Sequence, residues 1–141
     1  MPLEIRPYLK ADRVALDDLF RVCQERFLPG LEPGIIEDFT EATRGEPILV
    51  ALEDDEPVGF VSWWPPSDFI HNLFVRPDRF RRGIGAALLN ACLANIRRPA
   101  RLKCLCDNDR AIAFYLSQGW KVGDPGEGPR GKYYWMILER K

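Results

Sequence analysis

Residues 73–89 read LFVRPDRFRRGIGAALL, and this stretch decides the fold. It begins with the apolar residues Leu73 to Val75, which end a predicted strand, and it closes with Gly83 to Leu89, which open a predicted helix. A polar loop with four arginines joins the two elements. This order of strand, basic loop and glycine-led helix predicts an α/β protein with an anion site at the helix N-terminus.

The physical basis of that site is the start of the helix. The first N–H groups of a helix lack partners within it, and the helix dipole adds about half a positive charge there. Gly83 and Gly85 carry no Cβ that would keep a phosphate away, and Arg81 and Arg82 add charged donors. A pyrophosphate would be well held, although such a helix start is also typical of a solvated turn. The P-loop and the dinucleotide fingerprint fit worse, because the lysine of the first and the third glycine of the second are missing.

The rest of the chain alternates strand and helix signals in the order β-α-α-β-β-β-α-β-α-β-β. The predicted strands are Leu3–Tyr8, Ile48–Leu52, Pro57–Trp64, Phe69–Val75, Leu102–Cys106, Trp120–Val122 and Lys132–Leu138. The predicted helices run from a cap at Asp12 to Phe27, from Pro33 to Phe39, from Gly83 to Ile96, and from a cap at Asp107 or Asn108 to Leu116. Gly123–Gly131 is predicted as a nine-residue loop. Hairpins and helical crossovers both occur, so we expect a mixed central sheet.

The composition of the chain limits the classes of protein to which it can belong. The 141 residues fit one domain, at roughly 100–200 residues per domain, so we predict a single domain over residues 1–141. A net charge of −1 argues against a nucleic-acid partner. No apolar run reaches the length of about 18 residues that spans a bilayer, and the N-terminus lacks the apolar region of a signal peptide. We therefore expect a cytoplasmic protein with no membrane partner.

Metal binding is not expected. His71 is the only histidine, and Cys104-Leu105-Cys106 has no second cysteine pair with zinc spacing. Four reduced thiols in the cytosol are the simpler interpretation of the four cysteines.

Two motifs resemble those of the GNAT superfamily of N-acetyltransferases. Val75-Arg76-Pro77 and Phe80-Arg81-Arg82-Gly83-Ile84-Gly85 are similar to its acyl-CoA motif, Gln/Arg-x-x-Gly-x-Gly/Ala after Val-x-Pro, with Phe80 in place of Gln or Arg. Asn108-x-x-Ala111-x-x-Phe114-Tyr115 followed by Gly119-Trp120 resembles the second signature, Asn-x-x-Ala-x-x-Phe-Tyr-x-x-x-Gly-Phe. Pro57-Val58-Gly59-Phe60 is also typical of the family. The predicted element order resembles the family fold over nearly the whole chain.

The resemblance implies acetyl-CoA as cosubstrate and a sheet whose two parallel strands, Phe69–Val75 and Leu102–Cys106, splay apart around the pantetheine, with about four helices flanking the sheet. The implied cofactor-binding residues are Leu73, Phe74, Val75, Phe80, Arg81, Arg82, Gly83, Ile84, Gly85, Ala86, Asn108 and Tyr115. Backbone groups of Leu73 and Val75 would pair with the pantetheine. Asn108 is equally explained as a helix cap, and the two roles are compatible.

The resemblance also implies the catalytic groups. Tyr115 matches the family's general acid for the CoA thiolate, and its alternative role is packing beside Phe114. A backbone N–H near Phe74 would polarise the carbonyl. His71 lies two residues before Leu73, on the same face of an ideal strand, and we consider it as the base; the alternative is a hydrogen-bonded histidine with no catalytic part. Asp68 and Glu25 are carboxylate alternatives.

The acceptor implied by the resemblance is an amine of a small molecule or a protein. Its site would be built by residues 21–36, Trp63 with Trp64, and residues 126–134, which carry aromatic and acidic side chains. A homodimer is possible, as in many members of the family. Two other classes stay open: a non-catalytic acyl-CoA-binding module, which would not need Tyr115, and a protein-interaction domain on the same fold.

Overall fold

The computed structural model describes residues 3–27, 38–80 and 82–139, and it shows a single α/β domain. The strands are β1 Leu3–Pro7, β2 Ile48–Glu53, β3 Glu56–Trp64, β4 Phe69–Val75, β5 Ala100–Leu105, β6 Lys121–Gly128 and β7 Gly131–Leu138. The helices are α1 Arg13–Phe27, α2 Phe39–Ala42, α3 Ile84–Leu93 and α4 Asp109–Ser117. The predicted fold class and element order are confirmed. Most of the helix predicted from Pro33, and also Arg81, lie outside the described residues.

All seven strands form one mixed sheet in the order β1-β2-β3-β4-β5-β7-β6. Five of its neighbouring pairs are antiparallel, and β4 with β5 is the parallel pair. That parallel pairing covers only Phe69 with Arg101 and Ile70 with Leu102. Beyond these residues the two strands separate, which confirms the predicted splay and leaves a gap in the middle of the sheet.

Helix α3 packs on one side of the sheet, where Leu88, Leu89 and Cys92 lie in a buried cluster with strand residues such as Ile70. Gly59 of β3 is required for this close approach. A Cβ there would lie 2.9 Å from the carbonyl oxygen of Phe74 and 3.0 Å from a methyl group of Leu88. The sheet and α3 are thereby held at a fixed spacing directly behind the gap.

Helices α1 and α2 pack on the other side of β2, β3 and β4. Phe20 of α1 meets Phe60 and Phe74 edge to face, with ring centroids 5.9 and 5.0 Å apart. Leu16 is fully buried in the same cluster, and burial of such a side chain contributes about 1.5–3 kcal/mol. No helix in the described part of the chain is long and apolar enough to cross a membrane.

Asp12 does not cap α1 as predicted. A short 3-10 turn, Lys10–Asp12, precedes the helix, and the Asp12 carboxylate accepts the N–H of Leu9 at 2.9 Å. It also binds the Arg6 guanidinium at 2.8 and 3.0 Å, and these hydrogen bonds lower the pKa of Asp12. The carboxylate is therefore used to tie β1 to the start of α1.

The predicted loop Gly123–Gly131 is wrong over most of its length. Residues 123–128 continue β6, and residues 125–128 pair with β7, so only Pro129 and Arg130 form the turn. Glycine and proline indicated a loop, but β6 is an edge strand, where proline is tolerated because one side needs no partner. The pairing shifts register between Val122 and Pro125, which accommodates the proline in an irregular ladder.

Candidate active site

A cavity of about 520 Å³ occupies the gap between β4 and β5. Its lining includes several of the residues predicted from the sequence, namely His71, Leu73, Phe74, Asn108 and Tyr115. A volume in this range is typical of small-molecule and cofactor sites. The cavity brings together the predicted acid, the predicted base and the open edge of β4.

The backbone of β4 alternates between β3 and the gap. Arg76, directly after the strand, donates its N–H to the carbonyl oxygen of Val58 on β3 at 2.8 Å. Successive residues of a strand direct their backbone groups to opposite sides. Leu73 and Val75 therefore direct theirs to the gap, and the Val75 carbonyl there accepts the Cys23 thiol of α1 at 3.4 Å. The N–H of Phe74 itself is directed to β3, so among the backbone groups near Phe74 the N–H of Leu73 is the one that faces the gap.

Helix α3 presents its N-terminus at the far end of β4. Gly83 is its N-cap with φ +77°, a conformation that L side chains rarely adopt, and a Cβ there would face open space. The helical ladder includes the bond from the Ala87 N–H to the Gly83 carbonyl, so the amides of Ile84, Gly85 and Ala86 precede the first intrahelical donors. A Cβ on Gly85 would lie 3.5 Å from the Phe114 ring of α4. These amides are available to an anion.

The arginines of the loop are partly engaged by the β2–β3 hairpin. Arg79 binds Glu53 at 3.0 Å, and Arg82 lies 3.6 Å from the same carboxylate with 56% of its side chain exposed. Arg76 binds Glu56 at 2.5 Å. Because these pairs fix the loop and neutralise part of its charge, the backbone amides of α3 would contribute more to the predicted anion site than the arginines would.

Phe80 occupies the motif position where Gln or Arg was expected, and its ring supports a cation from another element. The guanidinium of Arg110, in the first turn of α4, lies 4.0 Å from the centroid of the Phe80 ring. Sequence reasoning missed Arg110 because no spacing rule links it to Phe80. The stacking places a positive charge beside the loop that leads into α3.

Tyr115 lies on α4 with only 8% of its surface exposed. Its ring packs against Phe114 and Trp120, at centroid distances of 5.2 and 5.7 Å, so both the predicted packing and an open face to the cavity are present. Its hydroxyl has no hydrogen-bond partner among residues 3–27, 38–80 and 82–139. Burial raises the pKa of Tyr115, and burial also raises the pKa of the Cys104 thiol beside it to about 11.

Asn108 caps α4, which is one of the two roles predicted for it. Its side-chain oxygen accepts the N–H of Ala111 at 3.1 Å. The residue also lines the cavity, and its amide nitrogen makes no hydrogen bond within the described ranges. The cap therefore fixes the side chain and leaves a donor beside the cavity.

His71 is the extra residue of a β-bulge in β4. Ser62 pairs with Asn72 and the next residue, Trp63, pairs with Ile70, so His71 has no opposite residue on β3. The bulge turns His71 toward the side of α2, whereas Leu73 packs on the opposite side of the sheet, so the expectation that the two share a face is wrong. The imidazole Nδ1 lies 2.9 Å from Glu46 Oε2, and the ring stacks on Phe69 at 5.8 Å.

Glu46 belongs to a chain of buried polar groups behind His71. Its side chain is 7% exposed, and its Oε1 accepts the Ser62 hydroxyl at 2.8 Å. Ser62 in turn accepts the Asn72 amide at 2.8 Å, and Asn72 also donates to the carbonyl of Ala42 at the end of α2. The carboxylate is held rigidly, so it fixes the orientation of the imidazole. Sequence reasoning missed Glu46 because it lies between two predicted elements, far from His71 along the chain.

The two carboxylate candidates and the two tryptophans of the predicted acceptor site lie outside the cavity lining. Asp68 accepts the N–H of Arg97 at 3.0 Å and ties a loop to the start of β4. Glu25 is exposed and pairs with Arg21 at 3.1 Å. Trp63 is buried in the core on the α3 side, and Trp64 is exposed, so neither residue lines the cavity.

A family model described as the acetyltransferase (GNAT) family matches residues 13–120, more than half of the chain. The chain belongs to this family. GNAT membership supports acetyl transfer as the general activity and an acyl-CoA as the cosubstrate. A search of curated protein sequences finds no match.

Solved GNAT structures share the fold. The PaiA N-acetyltransferase of Thermoplasma acidophilum, solved with coenzyme A, superposes with a TM-score of 0.82 at 20% identity over 99% of this chain and 100% of that chain. YncA of Salmonella typhimurium, solved with acetyl-CoA, gives 0.75 at 20% identity over 97% and 93%. The ribosomal-protein-S18-alanine N-acetyltransferase of Escherichia coli gives 0.77 at 18% identity over 98% and 94%. At these identities the likeness establishes the fold of the GNAT domain.

Proposed function

We propose that this GNAT domain, comprising residues 1–141, transfers the acetyl group of acetyl-CoA directly to a neutral amine in the gap between β4 and β5. The observation that carries the proposal is the cavity itself, which has the open edge of β4, the phenol of Tyr115 and the imidazole of His71 in one lining. The amine would be carried by a small molecule or a protein.

The described residues fit acetyl-CoA along the length of the gap. The carbonyl of Leu73 and the N–H of Val75, which face the gap, are placed to bind the pantetheine amides, as a neighbouring strand would. The Asn108 amide lies beside the same path. The backbone amides at the start of α3, together with the left-handed conformation of Gly83, form a concave site that fits the pyrophosphate. Arg110 adds a positive charge beside this site. Bound acetyl-CoA supplies a thioester whose carbonyl carbon the amine attacks.

Tyr115 would donate a proton to the CoA sulfur as the carbon–sulfur bond breaks. Burial raises the pKa of Tyr115, which keeps the phenol protonated throughout the neutral range. The same surroundings make a thiolate a stronger base than it is in water, as the raised pKa of Cys104 indicates. The pKa values of the phenol and of a thiolate's conjugate acid therefore rise together, so burial does not set one against the other in the proton transfer. The Tyr115 hydroxyl, which has no hydrogen-bond partner in the described structure, is available to the sulfur.

His71 would accept the proton that the amine loses as the new nitrogen–carbon bond forms. The Glu46 carboxylate can accept an Nδ1–H at 2.9 Å, which selects the tautomer with a lone pair on Nε2. The N–H of Leu73, directed to the gap, would polarise the acetyl carbonyl. In this scheme His71 accepts the proton from the amine, Tyr115 donates a proton to the sulfur, and the N–H of Leu73 polarises the carbonyl.

Two measurements on purified protein test the proposal. Acetyl-CoA at a hundred times its dissociation constant adds about 2.7 kcal/mol of stability, which should raise the melting midpoint by on the order of 10 °C. Release of CoA is then followed across a panel of primary amines. Binding without release with any amine would favour the non-catalytic acyl-CoA-binding module instead.

The variant Gly83→Glu tests the location of the cofactor. A glutamate would place a side chain and a negative charge where the α3 amides meet the phosphates, and it would strain a backbone with φ +77°. We expect the melting shift with acetyl-CoA to disappear. Glu127→Ala, an exposed change on β6, serves as the control that should keep the full shift. A full shift in Gly83→Glu would place the cofactor elsewhere.

A further inference from the structure

Among the described residues, the charged side chains that line the cavity are all basic. Lys103 and Arg130 line it together with His71, and no carboxylate of the described residues does. Glu46 reaches His71 from outside the lining and is engaged by Ser62. A cavity whose walls carry one sign of charge raises the local concentration of ligands of the opposite sign.

Lys103 is held above three aromatic rings. Its ammonium nitrogen lies 4.9 Å from the centroid of Tyr133, 5.1 Å from that of Trp135 and 6.0 Å from that of Phe69. The ammonium makes no ion pair with any carboxylate within the described ranges. The aromatic faces fix the direction of the lysine, and its positive charge stays available to a ligand.

The neighbouring residues of β5 show which side of the sheet Lys103 faces. Leu102 and Cys104 lie in the buried cluster on the α3 side, so Lys103 between them projects from the opposite side. Phe69, which contacts both Lys103 and His71, lies at the beginning of β4. The α3 amides meet the other end of β4, roughly 20 Å away at about 3.3 Å per residue. The cofactor phosphates bound there would not reach Lys103.

From this placement we propose that Lys103 binds an anionic group of the acceptor, so that the acceptor is an amine that also carries a carboxylate or a phosphate. The inference rests on the proposed acetyl transfer, because only that reaction makes the ligand of Lys103 an acceptor. The aromatic ring of Phe69 lies 5.8 Å from the imidazole ring of His71 and 6.0 Å from the ammonium of Lys103, so both groups lie near the beginning of β4. An acceptor would place its amine toward His71 and its anion toward Lys103.

The hairpin of β6 and β7 builds this arrangement. Tyr133 pairs with Gly126 across the hairpin, and a Cβ on Gly126 would lie 2.5 Å from the tyrosine ring. The glycine therefore lets the ring lie across β6. Arg101 packs 4.8 Å from the centroid of Trp135 on the same face and adds a second positive charge beside the rings.

The test measures equilibrium binding of acetylated products, which needs no turnover. N-acetylglycine is compared with N-acetylglycinamide, and N-acetyl-O-phosphoethanolamine with N-acetylethanolamine, in protein with and without CoA. We expect at least one anionic member to bind about tenfold or more tightly than its neutral partner, since a hydrogen bond to a charged group is lost in the neutral one. The pair that shows the preference identifies a carboxylate or a phosphate.

Three variants make the assignment specific to Lys103. Lys103→Met should abolish the preference, and Lys103→Arg should keep most of it. Lys121→Met, which removes an exposed lysine on the far edge strand, should leave it unchanged. Equal affinity within both pairs, or a preference that survives in Lys103→Met, would overturn the inference. Acetyl-CoA binding is measured on the same samples, and its failure would remove the proposed transfer without deciding the anion preference.

Discussion

Tyr115 and His71 differ in how their surroundings hold them. Tyr115 is fixed by ring packing and leaves its hydroxyl to the cavity, whereas His71 is fixed by a hydrogen bond to Glu46. Loss of the Tyr115 hydroxyl would therefore leave the packing intact, and loss of the Glu46 carboxylate would release the imidazole. These two changes separate chemistry from structure at single residues.

Tyr115→Phe should lower the turnover number by about tenfold or more, because a positioned general acid contributes at least that much. The dissociation constant for acetyl-CoA and the melting midpoint should stay close to the wild-type values, since the contacts with Phe114 and Trp120 are kept. Steady-state kinetics and a melt with acetyl-CoA measure both. An unchanged turnover number would remove Tyr115 from the chemistry.

Glu46→Gln should lower the turnover number with little change in acetyl-CoA affinity. A glutamine side chain can also donate to Nδ1, which stabilises the tautomer whose Nε2 carries a proton and cannot accept another. His71→Gln should have an effect at least as large, and the double variant should be no worse than His71→Gln alone. Independent, additive losses in this cycle would show that Glu46 does not act through His71.

Local spacing made some of these residues predictable and left others hidden. Asn108 and Tyr115 sit at fixed offsets on one helix, and the glycines follow directly after a strand, so the sequence showed them in their motifs. Glu46 meets His71 only because two distant segments fold together and a bulge turns the imidazole. Contacts of that kind depend on tertiary pairing, which no periodicity in one segment encodes.

At the level of elements, backbone geometry explains two of the errors in the sequence interpretation. Strict alternation along β4 would put His71 beside Leu73, but the extra residue of the bulge reverses its side. Glycine and proline along β6 resembled a loop, yet edge pairing with β7 forms a strand from them. The bounds of β4 itself were predicted correctly, because its apolar run ends at Arg76-Pro77.

Gly126→Ala tests how the β6–β7 hairpin supports Lys103. The new Cβ would meet the Tyr133 ring at 2.5 Å and displace it from the lysine. We expect a loss of about 1–3 kcal/mol in the free energy of unfolding, together with a weaker preference for anionic ligands. Urea unfolding and the product-binding assay measure the two effects.

Gly128→Ala is the matched control on the same strand. Its Cβ would lie 3.7 Å from the Tyr133 ring, an ordinary contact, so stability and anion preference should both stay near wild type. Equal effects of the two alanines would show that the hairpin backbone, rather than the tyrosine ring, controls the site.

At the scale of the whole molecule, two buried thiols and a buried phenol make the free energy of unfolding depend on pH. Burial raises the pKa of Cys104 to about 11 and of Cys92 to about 12, and it raises that of Tyr115 as well. In the unfolded chain a thiol ionises near 8.5 and a phenol near 10. Since the unfolded state loses these protons first, their contribution is complete below about pH 8.5 and is lost as the pH rises toward the folded values.

The free energy of unfolding should therefore fall between about pH 8.5 and 11, with a slope of up to about 1.4 kcal/mol per pH unit for each ionising group. Urea unfolding at a series of pH values measures it. Cys92→Ala lowers stability at every pH, but it should also flatten the slope, and it is the slope that tests the linkage. A slope that is the same in the variant would assign the pH dependence to other groups.

The order of strands and helices along the whole chain was predicted from the sequence, since each element carries its own periodicity and breaks. The seven-stranded order was not, because it depends on which strand ends meet across the sheet. The splay was available only through the resemblance of the two motifs to a family.

The narrow join between β4 and β5 divides the sheet into two panels that share two residue pairs. A ligand that hydrogen-bonds along the open edge of β4 and touches β5 supplies rungs that the sheet itself lacks. Such a ligand would link the two panels by hydrogen bonds. The amide hydrogens of Leu73 and Val75, which exchange freely with deuterated solvent when the gap is empty, would then exchange slowly. A bound ligand would therefore make the sheet more rigid at the boundary between β4 and β5. Release of the product would restore the freedom of the two panels to move relative to each other.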